Sequence, residues 1–282
     1  MVPEVRARFG RFGVWHMGAP SPELAQVLER LGYGALWVGG SPAGDLRAVE
    51  DLLDATTTLT LATGIVNVWD TDAGEVARSF DRIESRHPGR FVLGVGIGHR
   101  EANREYRSPF ETLSSYVDSL RASGVPADRL VLAALGSRAL RLAAERSAGA
   151  HPYFVPIEHT RGARDVVGPT ALLAPEHKVV VDPDPERARA VARRLVTGYS
   201  RLANYRNNLR RLGWSEEDLA AVSDELVDAL VAHGSPDDVA RRLAGHLDAG
   251  ADHVALHLLT HEGEDPLDTY TLLAGALGLS RG

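Results

Sequence analysis

Residues 90–106 read RFVLGVGIGHREANREY, and the architecture follows from this stretch. Phe91, Val92, Leu93, Val95 and Ile97 form an apolar, β-branched run of the kind that is buried on both faces in a parallel sheet. Gly94, Gly96 and Gly98 punctuate the run, and the polar cluster His99, Arg100, Glu101 and Asn103 follows where it stops. Glycine at a strand end allows a flat or anionic ligand to approach the backbone closely. This end is therefore the first candidate for a site.

The same unit recurs on both sides. Arg11–His16 is a short strand candidate, followed by a helix from Pro22 to Leu31 with Ser21 as its cap and Pro22 in its first position. Ala35–Val38 stops at Gly39-Gly40-Ser41, with a helix over 46–55, and Leu59–Trp69 is a third strand before a helix over 73–86. Beyond the opening stretch, Phe110–Ser123 is helical. Leu130–Leu135 is a fifth strand whose following helix Ser137 is placed to cap, and Gly149–Val155 is a sixth. A short helix over 160–167 leads to a seventh strand within 171–181, a long helix over 185–212 and a helical piece over 215–233 with no strand partner. Ser235-Pro236-Asp237-Asp238 starts a helix strongly, 252–259 is the eighth strand, and 267–277 is the last helix. Eight strands in alternation with helices predict a closed (β/α)8 TIM barrel with a helical insertion between strands 7 and 8, as one domain over 1–282. A doubly wound open sheet is the other topology with this alternation.

Composition agrees and excludes several functions. A length of 282 residues suits one barrel, and 44% hydrophobic with 24% charged residues is the balance of a globular protein. The formal charge of −7 provides no general field for nucleic acid, and the absence of cysteine excludes disulfides, thiolate metal sites and a catalytic thiol. The amino terminus lacks the apolar core of a signal peptide and no run approaches a membrane span, so a cytoplasmic location is expected.

Barrel enzymes place their chemistry at the carboxyl ends of the strands. Those ends carry Trp15 and His16; Gly39, Gly40 and Ser41; Gly64 and Asn67; Gly96, Gly98 and His99; Gly136 and Ser137; Tyr153; and His257. A mouth built of backbone and a few aromatic rings suits a planar ring system. Gly136-Ser137-Arg138 sets amides at a helix start beside a guanidinium, and His159-Thr160-Arg161 repeats the combination, so both are candidate anion sites. His99 is the candidate for proton chemistry. His253, His257 and His261 are spaced by four, but on a strand that is about 13 Å between neighbours at 3.3 Å per residue, too far for one ion. No metal is expected. Neither a Gly-x-Gly-x-x-Gly turn nor a Ser-centred nucleophile elbow is present.

The segments GYGALWVGGS, LATGIVNVWDTD, HPGRFVLGVGIGH, AGAHPYFVPIEHTRGAR, NYRNNLRRLGW and HLDAGADHVALHLL, in this order, resemble the bacterial luciferase-like superfamily of flavin and deazaflavin barrels. Within it they are most similar to its oxidoreductases that use coenzyme F420. The resemblance implies hydride transfer between the deazaflavin C5 and a small organic substrate. It also implies a non-prolyl cis peptide at Gly64-Ile65 against the ring, with Asn67 near the ring edge. Gly40 and Ser41 would lie beside the cofactor and Gly96, Ile97, Gly98 and His99 along the ring. Ala134, Gly136, Ser137 and Gly149 would approach the ribityl phosphate, and Thr160 and Arg161 would hold it. Trp15, His16, Trp69, Tyr153 and His257 would shape the substrate pocket, with His99 as the catalytic residue.

The chain departs from the sugar-phosphate dehydrogenases of this superfamily at two points. Gly39-Gly40-Ser41 stands where they carry an Asp-His pair, and His99 where they carry the proton-donating glutamate. A sugar phosphate is therefore not the expected substrate. Two alternatives share the fold: an FMN-dependent monooxygenase, and a barrel that binds F420 without turnover. Arg100, Arg104, Arg107, Arg138 and Arg161 are candidates for the longer tail of the deazaflavin. Specificity is expected in the loop 100–109 and in the insertion after Trp214. The superfamily commonly pairs as homodimers, for which the apolar helical face from Val76 to Ile83 is the candidate surface.

Overall fold

The computed structural model describes residues 7–99 and 108–279. Its strands are β1 (Phe12–His16), β2 (Ala35–Gly39), β3 (Thr60–Gly64), β4 (Val66–Asn67), β5 (Phe91–Gly96), β6 (Leu130–Leu132), β7 (Gly149–Ala150), β8 (Leu172–Leu173), β9 (Glu176–Val181), β10 (Val231–Gly234) and β11 (Val254–Leu258). All strand pairs are parallel, with β11 beside β1 and the order running β1, β2, β3, β5, β6, β7, β8. β8 and β9 are two lengths of one continuous strand interrupted at Ala174-Pro175. Ala174 N and Glu176 N donate to Ala150 O and Pro152 O at 2.9 and 2.8 Å on one side. On the other side β9 pairs with β11, and the circle closes as a TIM barrel.

Strand residues alternate between two layers, as a period of two requires. Phe12, Val14, Leu36, Val38, Leu61, Phe91, Leu93, Leu130, Val254 and Leu256 face the helices. Trp15, Ala35, Trp37, Ala62, Val92, Val131, Leu172, Ala174 and Ala255 fill the interior. Two indoles in so narrow a space require small neighbours, which accounts for the alanines.

The helices are α1 (Pro22–Arg30), α2 (Arg47–Ala55), α3 (Ala73–Arg86), α4 (Pro109–Ala122), α5 (Ser137–Arg146), α6 (Ile157–Val167), α7 (Pro185–Ser200), α8 (Ala203–Arg211), α9 (Glu216–Ala221), α10 (Asp224–Leu230), α11 (Pro236–Asp248) and α12 (Pro266–Ala276). Ser21 caps α1 and Ser235 caps α11, the latter in a capping box with Asp238. No helix of the described residues is long and apolar enough to cross a membrane.

Several elements differ from the sequence expectation. The long helix over 185–212 breaks at Arg201-Leu202 into α7 and α8. The piece over 215–233 is two short helices ending in β10, which pairs with the upper half of β9; four residues, VAHG, are too few to show a strand period. The sixth strand shrinks to Gly149–Ala150, since Pro152 has no N–H to donate and Phe154, at a φ of 58°, turns its N–H to the Glu176 carboxylate. Ser137 occupies the first turn of α5, and Gly136 is the cap, without a side-chain hydrogen bond. The face of α3 offered as a dimer surface is covered within the chain: Val76, Ala77, Phe80 and Ile83 are buried in the outer core layer.

Candidate active site

At the carboxyl ends of the strands lies a cavity of about 620 Å³, within the usual size of a small-molecule site. Gly40, Ser41, Gly64, Ile65, Ile97, Gly98, Ala134 and Gly136 line it, with His99, Trp15 and Tyr153. The peptide bond Gly64-Ile65 is cis, at the position that the resemblance implies.

Other residues marked in the sequence lie elsewhere. Thr160 is fully buried behind the barrel, where its hydroxyl is 2.7 Å from His246 Nδ1, and that imidazole in turn contacts His177 Nδ1 at 2.9 Å. Arg161 is exposed on α6, one helical position further round. Neither reaches the cavity, because α6 starts at Ile157 and both residues are already past its first three positions. Gly149 serves the closing of the barrel: a Cβ there would lie 1.9 Å from Leu172 O. Gly96 is filled from both sides by Ala133 and Ile65, at 2.8 and 3.0 Å from its absent Cβ. Asn67 is buried, its Oδ1 accepting from Trp69 N at 3.3 Å, and Ser137 is exposed beyond the lining. Trp69 donates to Ile97 O at 2.9 Å and borders a separate groove. His16 contacts Gly18 O at 3.1 Å, and His257 sits one layer below the cavity. Arg100, Arg104 and Arg107, with Glu101, Asn103 and most of the loop 100–109, lie outside the described residues.

The strand-end glycines have a more specific role than openness. A Cβ on Gly39 would fall 2.0 Å from the Trp15 ring, and one on Gly64 would fall 2.6 Å from Trp15 Nε1. Two of the glycines therefore seat an indole, and the indole forms the cavity floor. Below it, His257 packs on Trp15 with ring centroids 4.4 Å apart and meets Glu176 Oε1 at 3.1 Å. Glu176 binds Lys178 at 2.8 Å, and Lys178 Nζ lies 3.9 Å from the centre of the Tyr153 ring. His253 and His261 have different partners: Gly10 O with Trp37 for the first, and Asp182 for the second. The three histidines spaced by four thus serve three separate neighbourhoods.

The helices after the seventh strand contribute lining residues that sequence reading alone did not identify: Tyr199 from α7, and Asn204, Tyr205, Asn207 and Arg211 from α8. Their signal is the spacing 204, 207, 211, one helical face, inside the segment NYRNNLRR that carries part of the resemblance. His99 Nδ1 lies 3.3 Å from Asn204 Oδ1, and its ring packs on Tyr205 at 5.2 Å. His151 also reaches the lining. It stacks on Trp37 at 4.0 Å, contacts Ala174 O at 2.6 Å, and burial pushes its pKa down to about 4.

The charge in the lining is one-sided. Among the described residues it contains no carboxylate, while Arg138 and Arg211 both contribute to it. Arg138 lies over the Phe110 ring at 3.7 Å, and Arg211 bonds Asn208 at 3.2 Å and sits 3.8 Å from where a Gly136 Cβ would be. Both converge on the start of α5, whose first-turn amides have no side-chain acceptor from the cap. An anion fits this combination, and the glycine and alanine wall beside it accepts a flat ring.

Comparison with known proteins places the chain in a family and a fold. A family model described as luciferase-like monooxygenase matches residues 105–253. An F420-dependent secondary alcohol dehydrogenase, solved with an F420-acetone adduct, superposes with a TM-score of 0.74 at 15% identity over 95% of this chain and 99% of its own. The coenzyme F420-dependent tetrahydromethanopterin reductase from Methanopyrus kandleri gives 0.73 at 15% identity, over 95% and 98%. The oxygenating constituent of 3,6-diketocamphane monooxygenase from Pseudomonas putida, solved with FMN, gives 0.66 at 14% identity, over 96% of each chain. At these identities the likeness is one of fold. No curated protein sequence matches the chain significantly.

Proposed function

Since the chain belongs to the luciferase-like monooxygenase family, we propose that it is a coenzyme F420-dependent oxidoreductase acting on a small organic substrate. The observation that carries this reading is the convergence of Arg138 and Arg211 on the uncapped start of α5, in a cavity whose described lining holds no carboxylate and in a protein whose formal charge is −7. A local anion site against the overall charge calls for a phosphate-bearing ligand. When bound, the deazaflavin supplies hydride chemistry at its C5. Arg138, Arg211 and the Gly136 turn would hold the phosphate, and Ile65, Gly98, Ala133 and Ala134 would flank the ring. Trp15 and the tyrosines exclude water, and His99 holds or moves a proton at the substrate.

FMN carries the same ring type and ribityl phosphate, so an FMN-dependent monooxygenase is the second reading, favoured by the fold it shares with an FMN-bound monooxygenase. Parallel fluorescence titrations with F420 and FMN separate the two. Saturable micromolar binding of F420 without a comparable FMN response is the expected result. Preference for FMN replaces the first reading with the second, and absence of binding by either removes both. Arg211→Ala is expected to weaken binding of the preferred cofactor by at least tenfold, from the loss of one charge-assisted contact worth about 1.5–3 kcal/mol. Binding without turnover against any acceptor would assign the chain to the non-catalytic F420 binders. The reading includes a cytoplasmic homodimer, and light scattering of the purified protein tests the oligomeric state.

A further inference from the structure

The cavity is divided along α8. Asn204 meets His99 near the start of this helix and Arg211 meets the Gly136 turn at its end. At 1.5 Å per residue these two contacts are about 10 Å apart along the axis. The anion end and the His99 end are therefore distinct regions of one cavity.

The His99 end is a wall of phenols. Tyr153, Tyr199 and Tyr205 come from three elements and pack on one another, with ring centroids 5.2, 6.0 and 5.5 Å apart. Trp15 packs on Tyr153 at 5.0 Å and His99 on Tyr205 at 5.2 Å. Among the described residues the cation that packs on this wall is Lys178, which lies behind Tyr153 and is neutralised by Glu176 at 2.8 Å. The described residues of the wall thus offer ring faces, hydroxyls and one imidazole, and among them no net charge to pair with a charged ligand.

The geometry points to this wall as the substrate subsite, and to a substrate that is an uncharged planar molecule, aromatic or conjugated, bearing an oxygen to face the imidazole of His99. The subsite rests on the reading of the cavity as a coenzyme site whose phosphate takes the arginine end. Against the described wall a charged substrate would desolvate without a counter-ion, whereas a flat neutral ring stacks on the tyrosines and excludes water.

The test uses acetophenone as the probe and benzoate as its anionic counterpart of similar shape, titrated by isothermal calorimetry into the full chain and into Arg138→Ala/Arg211→Ala, where benzoate has no guanidinium to pair with. Acetophenone is expected to bind both proteins equally and benzoate to bind the double variant at least tenfold more weakly than acetophenone. Tyr199→Ala is expected to weaken acetophenone at least tenfold while leaving F420 or FMN binding within twofold; Tyr199→Phe, which keeps the ring, is expected to retain the probe. Equal binding of benzoate and acetophenone in the double variant, or acetophenone binding unmoved by Tyr199→Ala, overturns the subsite. If neither coenzyme binds, the coenzyme reading fails and the substrate subsite with it, whereas coenzyme binding with acetophenone unmoved by Tyr199→Ala overturns the subsite alone.

Discussion

His99 Nδ1 lies 3.3 Å from Asn204 Oδ1, so the side chain at the end of the fourth barrel strand is oriented by the first turn of a helix more than 100 positions later. An amide oxygen accepts from Nδ1–H and so fixes the orientation of the ring. Asn204→Asp places a carboxylate at the same point and favours imidazolium. The expected result is a His99 titration midpoint moved upward, the effect of an opposite charge in contact, followed by NMR titration of the imidazole Cε1–H. An unchanged midpoint would mean that Asn204 does not orient His99.

The floor of the cavity makes a second prediction. The Trp15 ring occupies the space of a side chain at Gly39, 2.0 Å from the absent Cβ. Gly39→Ala should displace the indole, cost about 1–3 kcal/mol and shift the tryptophan emission. Trp15→Leu in the same protein should relieve most of that cost. Urea denaturation measures both, and equal costs with and without the indole would refute the packing relation.

These two relations mark how far the sequence could be read. The β/α alternation, the caps at Ser21 and Ser235 and the strand-end position of His99 are local patterns, visible in periods of two and of about four residues. The glycines of strands 2 and 3 were visible too, but whether a ligand or a side chain fills the space above them depends on Trp15, which arrives from another strand. Arg211 and Tyr199 were hidden for the same reason, because the turn between α7 and α8 decides which helical face meets the cavity. Thr160 and Arg161 show the converse: a hydroxyl beside a basic group at a helix start looks like an anion site, yet one faces the core and the other solvent.

Acid should destabilise the fold through its buried imidazoles. His151, His177 and His253 are fully enclosed, and burial pushes each down to about 4; His246 is lowered further by burial beside His177. In the unfolded chain these groups titrate near 6.5. Between the two values the unfolded state binds more protons, so stability is complete above pH 6.5, falls as pH drops through the window and levels off below pH 4. At pH 5 each of the three costs about 2 kcal/mol. For His253 the cause is visible: Nδ1–H donates to Gly10 O at 2.9 Å while Nε2 accepts from Trp37 Nε1 at 3.0 Å, so a second proton would break the Trp37 bond. Urea midpoints at pH 7.5 and 5.0 measure the effect, and a midpoint independent of pH would contradict it.

The ion pair beneath the floor gives the last prediction. Glu176 and Lys178 stand two apart on β9 and share its inward face, with both side chains inaccessible to solvent. Burial pushes the carboxyl up, but the Lys178 ammonium and His257 outweigh it and hold Glu176 at about 2, while burial alone pushes Lys178 down. The carboxylate also accepts from Phe154 N at 3.1 Å, so three donors converge on it. Lys178→Met leaves that charge enclosed without its main partner, and Glu176→Gln does the same to the ammonium. Each is expected to cost about 3–5 kcal/mol, because desolvation is no longer offset. Glu176→Gln/Lys178→Met removes both charges and should cost much less than the sum of the single changes. A double-mutant cycle by chemical denaturation measures the coupling. Additive losses would mean that each residue matters through packing alone, and that Tyr153, with its ring 3.9 Å from Lys178 Nζ, is held by shape rather than by charge.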